Sequence, residues 1–252
     1  MILPAAAPTI VRCGRVDSTQ AIAFAMAADG APDRTVVVAD SQAAGRGRRG
    51  RAWHDEPGAS LLVSILLRPR LAPAQLPMLS LTAAVAVAEA LARAARLGAR
   101  LKWPNDVLVN GRKIAGILLE SRRATTSTPL PLPSWPPSPI VALGIGINVA
   151  QQTFPREISD RATSVRLAGG ETEDPDTLLM ALLERLDHWR GRLEMEGFVP
   201  VRERWRALAD TLGRRVTVDG VTGLAVDVDD DGALLLDDDS RRRHRIFAGE
   251  VT

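Results

Sequence analysis

Residues 45–51 read Gly-Arg-Gly-Arg-Arg-Gly-Arg, four guanidiniums and three glycines in seven positions. Glycine lets the backbone adopt left-handed conformations and bring N–H groups close to a ligand. Arginine adds forked donors that match phosphate and carboxylate oxygens. Such a run suits a reaction in which two anions must meet and a pyrophosphate departs. The same composition fits an RGG-type nucleic-acid segment or a solvated basic loop. Trp53, just beyond, offers either a stacking wall for a purine or an anchor for the loop.

A second cluster is Lys102-Trp103-Pro104-Asn105-Asp106, in which Pro104 keeps Trp103 extended and Asn105-Asp106 predicts a turn carrying a free carboxylate. Gly111-Arg112-Lys113-Ile114-Ala115-Gly116 follows and places Lys113 at the mouth of a buried strand. There its ammonium can donate to a carboxylate or an α-phosphate oxygen. Lys102 and Lys113 are the only lysines among 32 basic residues. Where a chain that otherwise writes arginine keeps lysine, a compact ammonium is wanted rather than a planar fork, chance being the competing account. Gly144 and Gly146 share one face of a strand, leaving room for a flat ligand or for close backbone packing.

Other chemistries are set aside. His54, His188 and His244 have no metal-ligand spacing and no serine elbow beside them. The acidic run at Asp227, Asp229, Asp230 and Asp231 lacks calcium-loop spacing and reads as a solvated turn. No P-loop and no strand-borne GxGxxG occurs. One cysteine, Cys13, precludes an internal disulfide and fits a reducing cytoplasm. The net charge of +2 gives no case for a nucleic-acid or membrane protein. The most apolar stretch, residues 76–91, is interrupted by Ser80, Thr82 and Glu89, short of the roughly 18 uncharged residues a spanning helix needs.

The elements that must hold these groups follow from hydrophobic pattern. Strands are expected over residues 9–14, 35–41, 60–67 and 140–149, and a series of short strands over 101–120 with a hairpin at Asn110-Gly111. Helices are expected over 19–28 (behind an Asp17-Ser18-Thr19 cap), 76–96, 175–196 and 199–209. Residues 125–139 hold six prolines and no charge and predict an exposed excursion between two strands. From Gly213 short β-runs separated by Asp-Gly turns indicate a small barrel. The expected division is residues 1–211 and 212–252.

Together, Asp17-Ser18-Thr19-Gln20, Gln42 ahead of GRGRRGRAW, KWPND, GRKIAGIL and GIGIN occur in an order that resembles the biotin–protein ligases, the biotin–[acetyl-CoA-carboxylase] ligases. The resemblance implies an α+β fold: a mixed sheet backed by helices, as in class II aminoacyl-tRNA synthetases, followed by an SH3-like barrel. It also implies two-step chemistry. Biotin is activated by ATP with Mg2+ to biotinyl-5′-AMP and then passed to a lysine of a biotin carboxyl carrier protein. The resemblance assigns Lys113, Arg48 and Asp106 to catalysis, Asp106 lying near the metal and the incoming lysine. It assigns Ser18, Thr19, Gln42, Gly45, Arg46, Gly116, Leu118 and Gly144 to biotin. Arg48, Arg51, Trp53, Lys113 and Asn148 fall to ATP, and no residue set forms a resident metal site.

About fifteen residues precede the first motif, too few for the helix-turn-helix of bifunctional relatives, so a monofunctional ligase without DNA binding is expected. It should be a cytoplasmic monomer or homodimer with no membrane association. Relatives often carry a further C-terminal basic residue over the nucleotide, a place open here to Arg245 or another arginine. A lipoate or octanoate ligase of the same superfamily is the alternative, opposed by the GRGRRGRAW loop and KWPND. A nucleic-acid module built on the Arg loop and Arg241-Arg242-Arg243 is opposed by the near-neutral charge and the absence of tyrosine.

Overall fold

The computed structural model describes residues 8–122 and 139–252. The expected proline-rich excursion thus falls, except for Pro139, outside the described residues. Seven strands form one sheet: β1 (Thr9–Val16), β2 (Thr35–Gln42), β3 (Ser60–Leu67), β4 (Arg100–Lys102), β5 (Asp106–Val109), β6 (Arg112–Arg122) and β7 (Ile140–Asn148). Their spatial order is β1-β2-β3-β7-β6-β5-β4. The β1–β2 pair is parallel and every other neighbour is antiparallel, so the sheet is mixed.

Side chains alternate between the faces of a strand, and the two faces are covered differently. Val36, Val38, Leu61, Val63 and Ile65 face a large core built with α2 (Pro77–Ala94), α3 (Pro175–Glu196) and α4 (Val199–Leu208). Val37 and Ala142 turn the other way, toward Ala23 and Phe24 of α1 (Thr19–Ala28). With helices on both sides, β3 is buried along its whole length, which explains its unbroken apolar sequence. The α1 side is covered only in part. The remainder of that face is the floor of a cavity.

Residues 73–94 are long and apolar enough to cross a membrane, but 72% of their most apolar 18-residue stretch is buried within the protein. It is the central core helix. Asp174 caps α3 by accepting from the N–H groups of Asp176 and Thr177, as its sequence predicts. Ser18 occupies the N-cap of α1 without making a side-chain cap bond; its neighbour Thr19 is engaged elsewhere. Asn110 and Gly111, with φ of 51° and 74°, form the expected tight hairpin between β5 and β6.

Beyond α4, strands β8 (Arg215–Val218), β9 (Val221–Val228), β10 (Leu234–Asp237) and β11 (Arg243–Ile246) make a separate antiparallel sheet in the order β11-β10-β9-β8. A bridge between Val218 and Val251 brings the C-terminus back against it, consistent with an SH3-like unit. Trp103 fastens this unit to the main sheet. Its backbone N–H reaches Thr211 Oγ1 at 2.9 Å, and its buried indole N–H reaches the Gly232 carbonyl at 3.2 Å.

Candidate active site

The uncovered sheet face carries one continuous register row. Ala39 of β2 pairs with Leu62 of β3, Leu62 with Gly146 of β7, and Gly146 with Gly116 of β6; Gly116 then pairs with Asp106 of β5, and Asp106 with Lys102 of β4. Residues opposite one another in adjacent strands share a face, so all six present to the same side. From Leu62 to Lys102 the row lines a cavity of about 660 Å³ that the Arg/Gly loop and the C-terminal unit roof over.

Gly116 and Gly146 are the flat part of this floor, and the Trp53 indole rests on them. A Cβ on Gly146 would stand 2.6 Å from Trp53 Cε2 and Cζ2, and one on Gly116 would stand 3.1 Å from Cζ3. The next glycine along, Gly144, makes room for the Gln20 amide, which donates to the carbonyls of Leu118 and Ala142. The space the glycines leave is therefore taken up by this protein's own Trp53 and Gln20. Trp53 Nε1 and Asn148 Oδ1 are buried without a partner, although Asn148 Nδ2 donates to the Thr163 carbonyl. Unsatisfied buried polar atoms are uncommon, and here a donor and an acceptor lie in the wall of one cavity.

The Asp106 carboxylate is not free, as the turn reading of Asn105-Asp106 expects. It opens β5 and grips Lys113 Nζ at 2.6 Å, because a bulge in β6, opposite the Val107–Leu108 step, brings Lys113 back to that face. Lys113 Nζ also lies 5.9 Å from the Trp53 ring centroid. Asn105 is held by a two-way bond with the backbone of Ile117, and its Oδ1 accepts from Arg48 at 3.2 Å. Burial, with Arg49 beside it, pulls Arg48 below the usual arginine value, while Asp106 works in the opposite direction. The guanidinium remains charged at neutral pH.

Every arginine of the loop is tied down. Arg46 pairs with Glu120 at 3.2 Å and Arg51 with Glu250, whereas Arg49 turns outward to Asp219 at 2.6 Å. Arg48 also donates to the Gly249 carbonyl at 3.2 Å. Three of the four tethers thus end in the C-terminal unit, a connection of about 170 to 200 residues in sequence that local patterns do not announce.

At the α1 end, Thr19 donates through its backbone N–H and its hydroxyl to Gln42 Oε1, and shares a 2.8 Å bond with Ser64. Ser18, Gln42, Leu118 and Gly144 line the same end. Burial pushes the Asp55 carboxyl up, opposed by the Gln42 N–H that it accepts. Gly45 is buried beneath Gln42 and Trp53 rather than exposed to the cavity. Gln20, Asn105, Arg161 and Arg214 also border the space; their sequence surroundings single out only the first two, which sit inside motifs. Arg245, a candidate for the nucleotide, is bound to Asp229 and Asp231 away from the cavity. Among the described residues no group of three or more His, Cys, Asp or Glu could hold a metal.

Residues 13–130 match the Biotin/lipoate A/B protein ligase family, and residues 211–252 match the Biotin protein ligase C terminal domain. The bifunctional ligase/repressor BirA of Bacillus subtilis is 38% identical over 242 residues, covering 94% of this chain and 71% of that protein. The biotin–[acetyl-CoA-carboxylase] ligase of Paracoccus denitrificans is 38% identical over 231 residues, with 88% and 91% covered. The structure of the Aquifex aeolicus biotin protein ligase in complex with biotin and ATP superposes with a TM-score of 0.80 at 29% identity, covering 97% of each chain. Fold, cavity and full-length relatives agree: the chain belongs to the biotin protein ligase family.

Proposed function

We infer that this protein activates biotin with ATP to biotinyl-5′-AMP and transfers biotin to a lysine of a biotin carboxyl carrier protein, the acetyl-CoA carboxylase carrier by analogy with the named relatives. In the first step the biotin carboxylate bonds to the α-phosphorus and pyrophosphate leaves. In the second the carrier lysine attacks the mixed anhydride and AMP leaves. The observation that carries this reading is the convergence of Lys113 and Trp53 on one glycine floor, with Arg48 lining the same cavity.

Lys113 and Arg48 bring fixed positive charge to the point where two anions must approach, a preorganised electrostatic effect. Ser18, Thr19, Gln42, Arg46 and Leu118 are proposed to contact biotin at the α1 end, with Gly45, Gly116 and Gly144 proposed to shape that space through Gln42, Trp53 and Gln20, which pack on them. Trp53, Arg51 and Asn148 are proposed to hold the nucleotide, Asn148 Oδ1 being free to accept from a purine amine. Asp106 is proposed to orient Lys113 and to meet the incoming lysine. Magnesium fits as an ion carried by ATP, because such ions need only one or two protein carboxylates beside the phosphates. Asp106 is proposed as the carboxylate that would meet it, and the ion would neutralise phosphate charge.

Residues 1–211 are proposed as the catalytic unit and 212–252 as the SH3-like unit, in a cytoplasmic monomer or homodimer. The test is pyrophosphate release with biotin and ATP. Lys113→Ala should lower the rate at least about 100-fold, the cost of deleting one preorganised transition-state contact, with the fold intact by circular dichroism. An unchanged rate would refute the assignment.

A further inference from the structure

The two lysines of the chain flank one residue, Asp106, Lys113 through its side chain and Lys102 through strand register. Lys113 Nζ bonds Asp106 at 2.6 Å, and Lys102 stands directly opposite Asp106 in the β4–β5 pairing. Lys102 is the last residue of the row that carries the Gly146 and Gly116 floor, so it emerges on the cavity side, and it lines the cavity half-buried. The other cations around the space are mostly committed. Arg46, Arg51, Lys113, Arg214 and Arg215 are each paired with a carboxylate, and Arg48 with an amide and a carbonyl. Among the described residues Lys102 makes no ion pair and no side-chain hydrogen bond; exposed Arg161 is the other lining cation in that condition.

We propose that Lys102 binds the β- and γ-phosphates of ATP and the pyrophosphate that departs, a role that rests on the ligase reading above. The row has a direction: apolar at β2 and β3, flat under Trp53 at β7 and β6, charged at β5 and β4. Adjacent strands lie about 4.8 Å apart, so Lys102 is one strand beyond the Asp106–Lys113 pair, on the side away from the glycine floor. When a carboxylate oxygen bonds to the α-phosphorus, the bond from that phosphorus to the bridging oxygen breaks. The oxygen carries the electron pair away within pyrophosphate. A cation beyond Lys113 meets that developing charge. Lysine suits the task better than arginine, because a rotatable point charge holds the group without a bidentate clamp and lets it go.

The experiment uses the full chain and follows biotinyl-5′-AMP formation with varied ATP, varied biotin and added inorganic pyrophosphate. Loss of one charge-assisted contact predicts that Lys102→Ala raises KM for ATP and the inhibition constant of pyrophosphate about tenfold each. KM for biotin should stay within twofold, and Lys102→Arg should restore most of the affinity. Lys102→Gln serves if the alanine variant is poorly folded. Unchanged pyrophosphate inhibition, a joint rise of both KM values, or the same loss in Arg161→Ala and not in Lys102→Ala would overturn the proposal. Should the wild-type chain form no adenylate, the ligase reading fails. Calorimetric titration of pyrophosphate alone into the wild type and Lys102→Ala still decides whether Lys102 holds the anion.

Discussion

The indole of Trp53 lies on Gly116 and Gly146 with no space beneath it, and that contact makes a single methyl consequential. In Gly146→Ala the new carbon would meet rigid ring atoms at 2.6 Å, while the backbone N–H of Trp53 is tied to the Gly45 carbonyl at 2.9 Å. Overpacking of this kind costs about 1–3 kcal/mol. We predict that Gly146→Ala tilts Trp53 off the floor and weakens ATP binding about tenfold or more by calorimetry; affinity within twofold of wild type would contradict this seating. The residue types were legible in the sequence: two glycines on one strand face, a lysine at a strand mouth, a tryptophan after an arginine loop. Their mutual contacts were not. That Asp106 holds Lys113 depends on a bulge in β6, where Ile114 is the extra residue opposite the Val107–Leu108 step, and that Trp53 fills the glycine space depends on how a loop folds back over the sheet.

At the scale of elements, β-branched runs, Asp174-Pro175 and Asn110-Gly111 announced strands, a helix start and a hairpin, because each carries its cause locally. Strand order and loop tethers carry no local cause. Arg48, Arg49 and Arg51 reach Gly249, Asp219 and Glu250 across most of the chain. The C-terminal sheet has a pH dependence of its own. The bond to His244, then those from Ser240 and the Arg242 N–H, hold Asp238 far below the usual carboxylate range. Arg243 lowers Asp237, and Asp229 is lowered by Arg245 and backbone N–H groups despite burial acting the other way. With folded-state values depressed, the unfolded chain binds more protons in acid. The stabilisation is complete above about pH 4 and is lost as pH falls through the depressed values. We predict a Tm that declines steadily below about pH 4, with a shallower decline in Asp238→Asn; equal slopes would contradict the assignment.

For the molecule as a whole, a mixed sheet supplies a rigid row of positions, a glycine-rich loop supplies charge above it, and a small second sheet anchors that loop. The core helix α2, apolar enough to cross a membrane yet buried against the sheet, shows why composition alone cannot assign such a segment. The central claim is that this arrangement joins biotin to a protein lysine. Its most direct test is intact-mass spectrometry of a purified apo biotin carboxyl carrier protein after incubation with this chain, biotin and MgATP. The account predicts one biotinyl increment per carrier, dependent on ATP and absent when the acceptor lysine is replaced. No increment with biotin, or an increment with lipoate instead, would contradict it.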